Sequence, residues 1–99
     1  MASMHALVIG AGFGGLASAL RLRARGYEVT LVDRQEQPGG RAAVHRRDGF
    51  TFDAGPTIIT APFLLDELFA LFGHETSDYV PLRSLEPWYR LRFDGGETF

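Results

Sequence analysis

Cysteine is absent from the 99-residue chain. Disulfides, thiolate metal sites and cysteine nucleophiles are therefore excluded from it, and so is the redox cysteine pair of a disulfide reductase. The absence fits a reducing compartment. Long apolar runs are missing too: none approaches the roughly 18 residues that a membrane-spanning helix needs. Charge of one sign is also lacking, since 10 basic residues stand against 12 acidic ones for a formal net charge of −2. Nothing in that balance invites a polyanion, and no nucleic-acid partner is expected. The arginine runs, Arg21, Arg23 and Arg25 and then Arg46 and Arg47, are short and read as solvated faces of a helix and a strand. The segment Met1-Ala2-Ser3-Met4-His5 has no basic n-region, and its apolar continuation runs straight into glycines. It reads as the approach to a first strand and not as an export signal.

What is present suits one modest globular unit. Apolar residues make up 45% of the chain, enough for a core, and charged residues 22%, too few for a disordered tail. The run Ala6-Leu7-Val8-Ile9 has the length and β-branching of a strand buried on both faces. A glycine cluster follows over residues 10–15, then a helix over 16–25 with Leu16, Ala19, Leu20 and the stem of Arg23 on one side. Gly26 is placed as its left-handed terminator. Residues 28–32 form a second strand closed by Asp33, and residues 34–41 a polar loop broken by Pro38-Gly39-Gly40. Residues 43–47 and 50–54 read as a hairpin turning at Asp48-Gly49. An amphipathic helix follows over 63–72, with Leu64, Leu65, Leu68, Phe69, Leu71 and Phe72 apolar and Asp66 and Glu67 near its N-terminal end. Thr60 is its expected N-cap, Pro62 lies in its first turn and Gly73 stops it. Tyr79-Val80, residues 88–93 and residues 97–99 read as the start of a further hairpin turning at Asp94-Gly95-Gly96. The fold class is thus α/β: a β-α-β unit, a β-hairpin, an amphipathic helix and the start of another antiparallel hairpin.

The glycines carry the chemistry. Gly10, Gly12 and Gly15 form a G-x-G-x-x-G pattern that leaves a buried-type strand and, through Phe13 and Gly14, opens a helix. The first glycine allows a sharp turn, the second keeps side-chain bulk away from a pyrophosphate, and the third lets the helix pack close to the sheet. The helix N-terminus then offers free N–H groups and partial positive charge to phosphates. Asp33 ends the second strand near the spacing of about 20 residues at which an acid meets the ribose hydroxyls. A carboxylate there repels a 2′-phosphate, which favours FAD or NAD over NADP, although Arg34 stands beside it. The next loop separates these two: Pro38-Gly39-Gly40-Arg41 leads into a hairpin rather than a second helix, and brings backbone N–H groups and a guanidinium towards phosphate or flavin oxygens. FAD is the expected cofactor, and the α/β fold is expected to open with a Rossmann-like FAD-binding β-α-β unit. No histidine qualifies as a catalytic base; His5 and His74 sit at an element edge and in a loop, and His45 sits in a hairpin strand.

Three segments together resemble a family. Val8-Ile9-Gly10-Ala11-Gly12-Phe13-Gly14-Gly15-Leu16, Pro38-Gly39-Gly40-Arg41 and Phe50-Thr51-Phe52-Asp53-Ala54-Gly55-Pro56-Thr57 resemble the start of the bacterial and fungal type of phytoene desaturase, within the amine-oxidase-like flavoproteins. The resemblance spans essentially the whole chain. It implies that Gly10, Gly12 and Gly15 hold the FAD pyrophosphate and that Asp33 holds the adenosine ribose. It places Gly39, Gly40 and Arg41 along the diphosphate and ribityl side, and Asp53, Gly55, Pro56 and Thr57 close to the isoalloxazine. A turn-capping role for Asp53 stays open beside that one. The implied reaction is desaturation of a hydrophobic polyene at C–H bonds next to existing double bonds, with flavin as the electron acceptor. It also implies a cytoplasmic location with peripheral membrane contact, for which the helix over 63–72 is the most apolar candidate. Members of this family are several times longer, so residues 1–99 are expected to be the N-terminal part of an FAD/NAD(P)-binding domain. An amine oxidase, a retinoid saturase and a non-catalytic nucleotide-binding piece remain open alternatives.

Overall fold

A computed structural model describes residues 4–99. The expectation for Met1, Ala2 and Ser3 lies outside the described residues. Strand β1 (His5–Ile9) leads into helix α1 (Phe13–Ala24), which returns the chain to strand β2 (Glu28–Val32). The two strands pair in parallel with His5 opposite Glu28 and Ile9 opposite Val32. Side chains alternate across a pleated strand, and here every second residue is half-buried. Ala6, Val8, Val29 and Leu31 face α1, while Leu7, Ile9 and Val32 are exposed on the other side.

Helix α1 begins three residues earlier than the sequence predicts. The run of glycines hides its start, because the first turn is Phe13-Gly14-Gly15 and glycine is a poor helix former. Its half-buried residues are Gly15, Leu16, Ala17, Ala19 and Leu22, whereas Leu20 and Arg23 are exposed. That corrects the expected face by one step around the helix: residues 16, 19 and 22 keep a shallow three-residue stagger that points at the two-stranded sheet. Arg23 instead donates from Nη1 to the Tyr27 carbonyl at 3.1 Å, in the helix's last turn where cations are favoured. The helix ends as expected at Gly26, whose φ is +92°. Two bonds close it, Gly26 N–H to the Arg23 carbonyl at 3.0 Å and Tyr27 N–H to the Leu22 carbonyl at 3.2 Å. These are the paired bonds of a Schellman ending.

The loop after β2 is not wholly irregular, for Gly40–Ala42 form one 3-10 turn. Strands β3 (Val44–Arg47) and β4 (Phe50–Asp53) then make the expected hairpin, antiparallel with Val44 opposite Asp53. Asp48 and Gly49 have φ of +51° and +81°, as a two-residue type I′ turn requires.

Helix α2 (Pro62–Ala70) is shorter than expected by two residues at its C-terminal end. The N-cap is Ala61, not Thr60, and no side chain caps it. Pro62 accounts for the shift: its fixed φ suits the first helical position and pushes the preceding residue out of the helical region. Asp66 and Glu67 consequently fall in the second turn, and the first turn holds no acid. Leu65, Leu68 and Phe69 are half-buried; Phe63, Leu64, Leu71 and Phe72 are exposed. One ion pair, Arg21 Nη2 to Glu67 Oε1 at 3.6 Å, joins the two helices.

A 3-10 turn at Thr76–Asp78, which no sequence pattern announces, takes the place of any strand at Tyr79-Val80. Tyr79 stacks on Phe69, with ring centroids 5.2 Å apart, and ties that turn to α2. Near the end, Leu91 and Phe99 exchange backbone hydrogen bonds of 2.9 and 3.0 Å, and Arg92 bridges Thr98 in antiparallel fashion. The hairpin is therefore begun at the expected turn, but residues 88–90 are not paired in it.

Candidate functional site

The site grows from the carboxyl ends of the two parallel strands, where open α/β sheets bind ligands. At the end of β1, Gly10 still completes the sheet ladder, its N–H donating to the Val32 carbonyl at 2.7 Å. Its φ of +106° then turns the chain sharply away, as glycine alone does readily. Ala11 follows and is the one buried apolar residue among those described, 5% exposed.

The Ala11 peptide joins three segments. Its N–H donates to Asp33 Oδ2 at 2.8 Å. Its carbonyl accepts from the Gly39 N–H at 2.8 Å. Asp33 is itself held by a second amide, Gln35 N–H to Oδ1 at 2.7 Å. These two backbone bonds, Ala11 first and Gln35 second, lower the Asp33 pKa below its ordinary value of 3.8, and the nearby Arg34 charge adds to the effect. Asp33 is therefore a fixed anion at neutral pH.

Helix α1 starts one residue after Ala11's neighbour, Gly12, which is its N-cap. No side chain caps the helix and no acid lies in its first turn. The N–H groups of Phe13, Gly14 and Gly15 have no intrahelical acceptor, and none is found elsewhere among the described residues. The positive end of a 12-residue helix is thus open to an anion.

The three glycines of the fingerprint are distinct in what they answer to. Gly10 answers to the turn. Gly15 answers to packing, because a methyl group there would overlap the Gly10 carbonyl oxygen. Gly12 answers to neither: its φ is −76°, and a methyl group there would reach only the Gly40 Cα, at 4.0 Å. Nothing in the chain itself requires glycine at that position, so the space a side chain would fill is left for something else. The residues present fit a dinucleotide pyrophosphate.

An open cleft of ≈ 1230 Å³ lies beside this loop. It brings together Gly10, Asp33, Arg34, Gly40 and Arg41 among the expected residues. Gly39 stands behind it through its bond to Ala11. Gly55 packs against the Arg41 carbonyl, so closely that a methyl group there would overlap its oxygen. Asp53 ends β4 opposite Val44 and is exposed. Pro56 and Thr57 do not line the cleft; Thr57 lines a separate groove with Ile58, Ile59, Leu82, Leu85 and Trp88. The described residues contain no cluster of metal-ligating side chains, and no helix among them is long and apolar enough to cross a membrane.

Two contributors carry no signal in the sequence that marks them as part of the site. Ala11 has no polar side chain, and only its position between two glycines sets it apart. His45 lines the cleft from β3, while His5 bonds Thr30 at 2.8 Å and His74 contacts the Tyr79 hydroxyl at 3.3 Å, both away from it.

The sequence profile of the NAD(P)-binding Rossmann-like domain family matches residues 8–74. A lycopene-forming phytoene desaturase of Pantoea ananas is 54% identical over 92 residues, which are 93% of this chain and 19% of that protein. A second lycopene-forming phytoene desaturase, from a Paracoccus species, is 51% identical over 98 residues, 99% of this chain and 20% of that protein. A neurosporene-forming phytoene desaturase of Rhodobacter capsulatus is 50% identical over 95 residues, 96% of this chain and 18% of that protein. The chain spans about a fifth of the length of these curated relatives.

Proposed function

We propose, from the premise that the chain belongs to the family of NAD(P)-binding Rossmann-like domains, that it is the N-terminal, FAD-binding part of a flavin-dependent desaturase acting on phytoene or a related carotenoid precursor. The observation that supports the cofactor is the uncapped start of α1 beside Gly12, whose missing side chain no protein atom demands. The likeness to phytoene desaturases over nearly the whole chain supports the substrate class.

In this reading the Phe13, Gly14 and Gly15 amides hold the pyrophosphate. Asp33 accepts from the adenosine ribose, because each of its oxygens keeps a free lone pair beside the backbone bond already made. The Asp33 charge also opposes a 2′-phosphate, which favours FAD over NADPH at this loop. Arg41, carried on the turn Gly40–Ala42 at the mouth of the cleft, faces the diphosphate and ribityl side with Arg34 nearby. Gly55, Pro56 and Thr57 continue towards the flavin ring, and the groove that starts at Thr57 is apolar enough for a polyene. Bound FAD supplies the acceptor for the electrons removed from the hydrocarbon. A polyene substrate resides in lipid, and the exposed Phe63, Leu64, Leu71 and Phe72 of α2 offer a surface for peripheral contact with it.

The test uses the full-length protein. Its chromophore is released and identified, and phytoene in liposomes is offered as substrate. FAD release together with new double bonds in the polyene is the expected result. A tight NADPH complex on the loop at residues 10–15 would overturn the cofactor assignment. Turnover of soluble amines without turnover of polyenes would overturn the substrate class.

A further inference from the structure

The sheet ladder between β1 and β2 does not stop at its last backbone rung. Gly10 N–H reaches the Val32 carbonyl, and the next donor along, Ala11 N–H, reaches a side chain, Asp33 Oδ2. The carboxylate thus adds one rung beyond the end of β2. Its orientation is fixed locally, because Oδ1 accepts from Gln35 N–H two residues on, the geometry of an Asx turn. On the far side of the same peptide, the Ala11 carbonyl holds Gly39 N–H at 2.8 Å. Ala11 is buried, so water does not readily replace either bond, and an unpaired buried amide is unfavourable.

We propose that Asp33 is a positioning residue for both phosphate-side loops: its carboxylate fixes the Ala11 peptide plane, and that peptide fixes the Gly39-Gly40-Arg41 turn. This role is separate from any contact with ribose hydroxyls, and it operates before a cofactor arrives. It rests on the reading of residues 10–15 as the dinucleotide loop. The backbone neighbours leave little slack for an alternative arrangement, since Gly40 passes directly against Gly12. A loop whose amides already point at the phosphates binds with less ordering entropy to lose.

The decisive experiment measures amide hydrogen exchange in the full-length apoprotein, for wild type, Asp33→Asn and Asp33→Ala. Asparagine keeps one acceptor oxygen, so it retains only one of the two backbone bonds; alanine retains neither. Exchange at Ala11 and Gly39 is expected to rise about tenfold or more in Asp33→Ala, with Asp33→Asn between it and wild type. The amides inside α1 serve as the internal reference and stay unchanged, which separates local loosening from general loss of stability. A second arm compares binding of FAD with binding of an FAD analogue carrying 2′,3′-dideoxyadenosine. A ribose contact alone predicts that Asp33→Asn and wild type bind the dideoxy analogue equally; the positioning role predicts weaker binding of both ligands by the variant. Unchanged exchange at Ala11 and Gly39 overturns the proposal whatever the ligands do. If wild type binds no FAD at all, the exchange arm still decides the role of Asp33, and the failure belongs to the cofactor reading.

Discussion

Gly12 and Gly40 meet backbone to backbone, and the contact is one-sided: a methyl group on Gly40 would stand 3.1 Å from the Gly12 Cα, whereas one on Gly12 would stand 4.0 Å from the Gly40 Cα. The loop after β1 and the turn after β2 are therefore wedged together at a point that only one of the two glycines needs for packing. Gly40→Ala should push the turn carrying Arg41 away from the loop. Because Gly40 also sits at φ +58°, alanine there is strained by about 1 kcal/mol. The expected result in the full-length protein is weaker flavin retention with a small fall in thermal midpoint. Wild-type flavin affinity in that variant would show that the two loops do not act together.

Gly26 tests the opposite case, a glycine with a purely local duty. Its φ is +92° and a methyl group there would meet open space. Gly26→Ala should strain the end of α1 and lower stability by about 1 kcal/mol, with flavin content unchanged. Thermal midpoint and flavin stoichiometry, read on the same sample, check both halves. Loss of flavin in this variant would mean that the end of α1 communicates with its beginning.

Much of that contrast is legible in the amino-acid sequence. Gly10, Gly15 and Gly26 stand at positions where the pattern of strand, glycine cluster and helix allows few alternatives, and the hairpin at Asp48-Gly49 follows from turn chemistry alone. The features that stay hidden do so for physical reasons. The start of α1 is masked because Phe13-Gly14-Gly15 has poor helix propensity, overridden by the turn and the sheet on which the helix packs. The N-cap of α2 falls at Ala61 because Pro62 outranks a threonine hydroxyl in setting the first turn. Ala11 leaves no trace because its role is carried by backbone atoms that every residue possesses. The site residues that spacing marks are those whose side chains, or lack of them, set the geometry; the peptide that joins them is visible only in three dimensions.

The Asp33 carboxylate gives a pH dependence whose sign is fixed. Its pKa is depressed in the folded state, so the stabilisation it contributes is fully present above the ordinary carboxylate value of 3.8 and is lost as pH falls through the lowered one. Arg34, Glu36, Arg41 and His45 line the same cleft. The ordering of the loop should accordingly be flat from neutral pH down to the ordinary carboxylate range and fall only below it. Amide exchange at Ala11, followed against pH after correction for the intrinsic rate, provides the measurement. A transition near neutral pH would show that a group other than Asp33 governs the ordering of the loop.

Gly12 and Gly15 lie three residues apart, and equal insults should break different things. At Gly15 a methyl group collides with the Gly10 carbonyl, a backbone atom that cannot move without unseating the turn off β1. Gly15→Ala should therefore damage the fold itself, by about 1–3 kcal/mol, and take flavin binding down with it. At Gly12 the backbone is ordinary and the protein side is open. Gly12→Val removes a favourable N-cap residue, which costs about 1 kcal/mol, but its main effect falls on the space in front of the uncapped amides of α1. Flavin binding should be abolished in Gly12→Val while the apoprotein keeps most of its stability. The two variants are made in the full-length protein, and thermal midpoints are taken on apoprotein so that loss of cofactor does not itself lower them. The expected pattern is a crossed one: Gly15→Ala shows the larger fall in midpoint, and Gly12→Val shows a complete loss of flavin with a smaller fall. Stoichiometric FAD at wild-type affinity in Gly12→Val would mean that the loop does not cradle a pyrophosphate, and the assignment of the site would have to be abandoned.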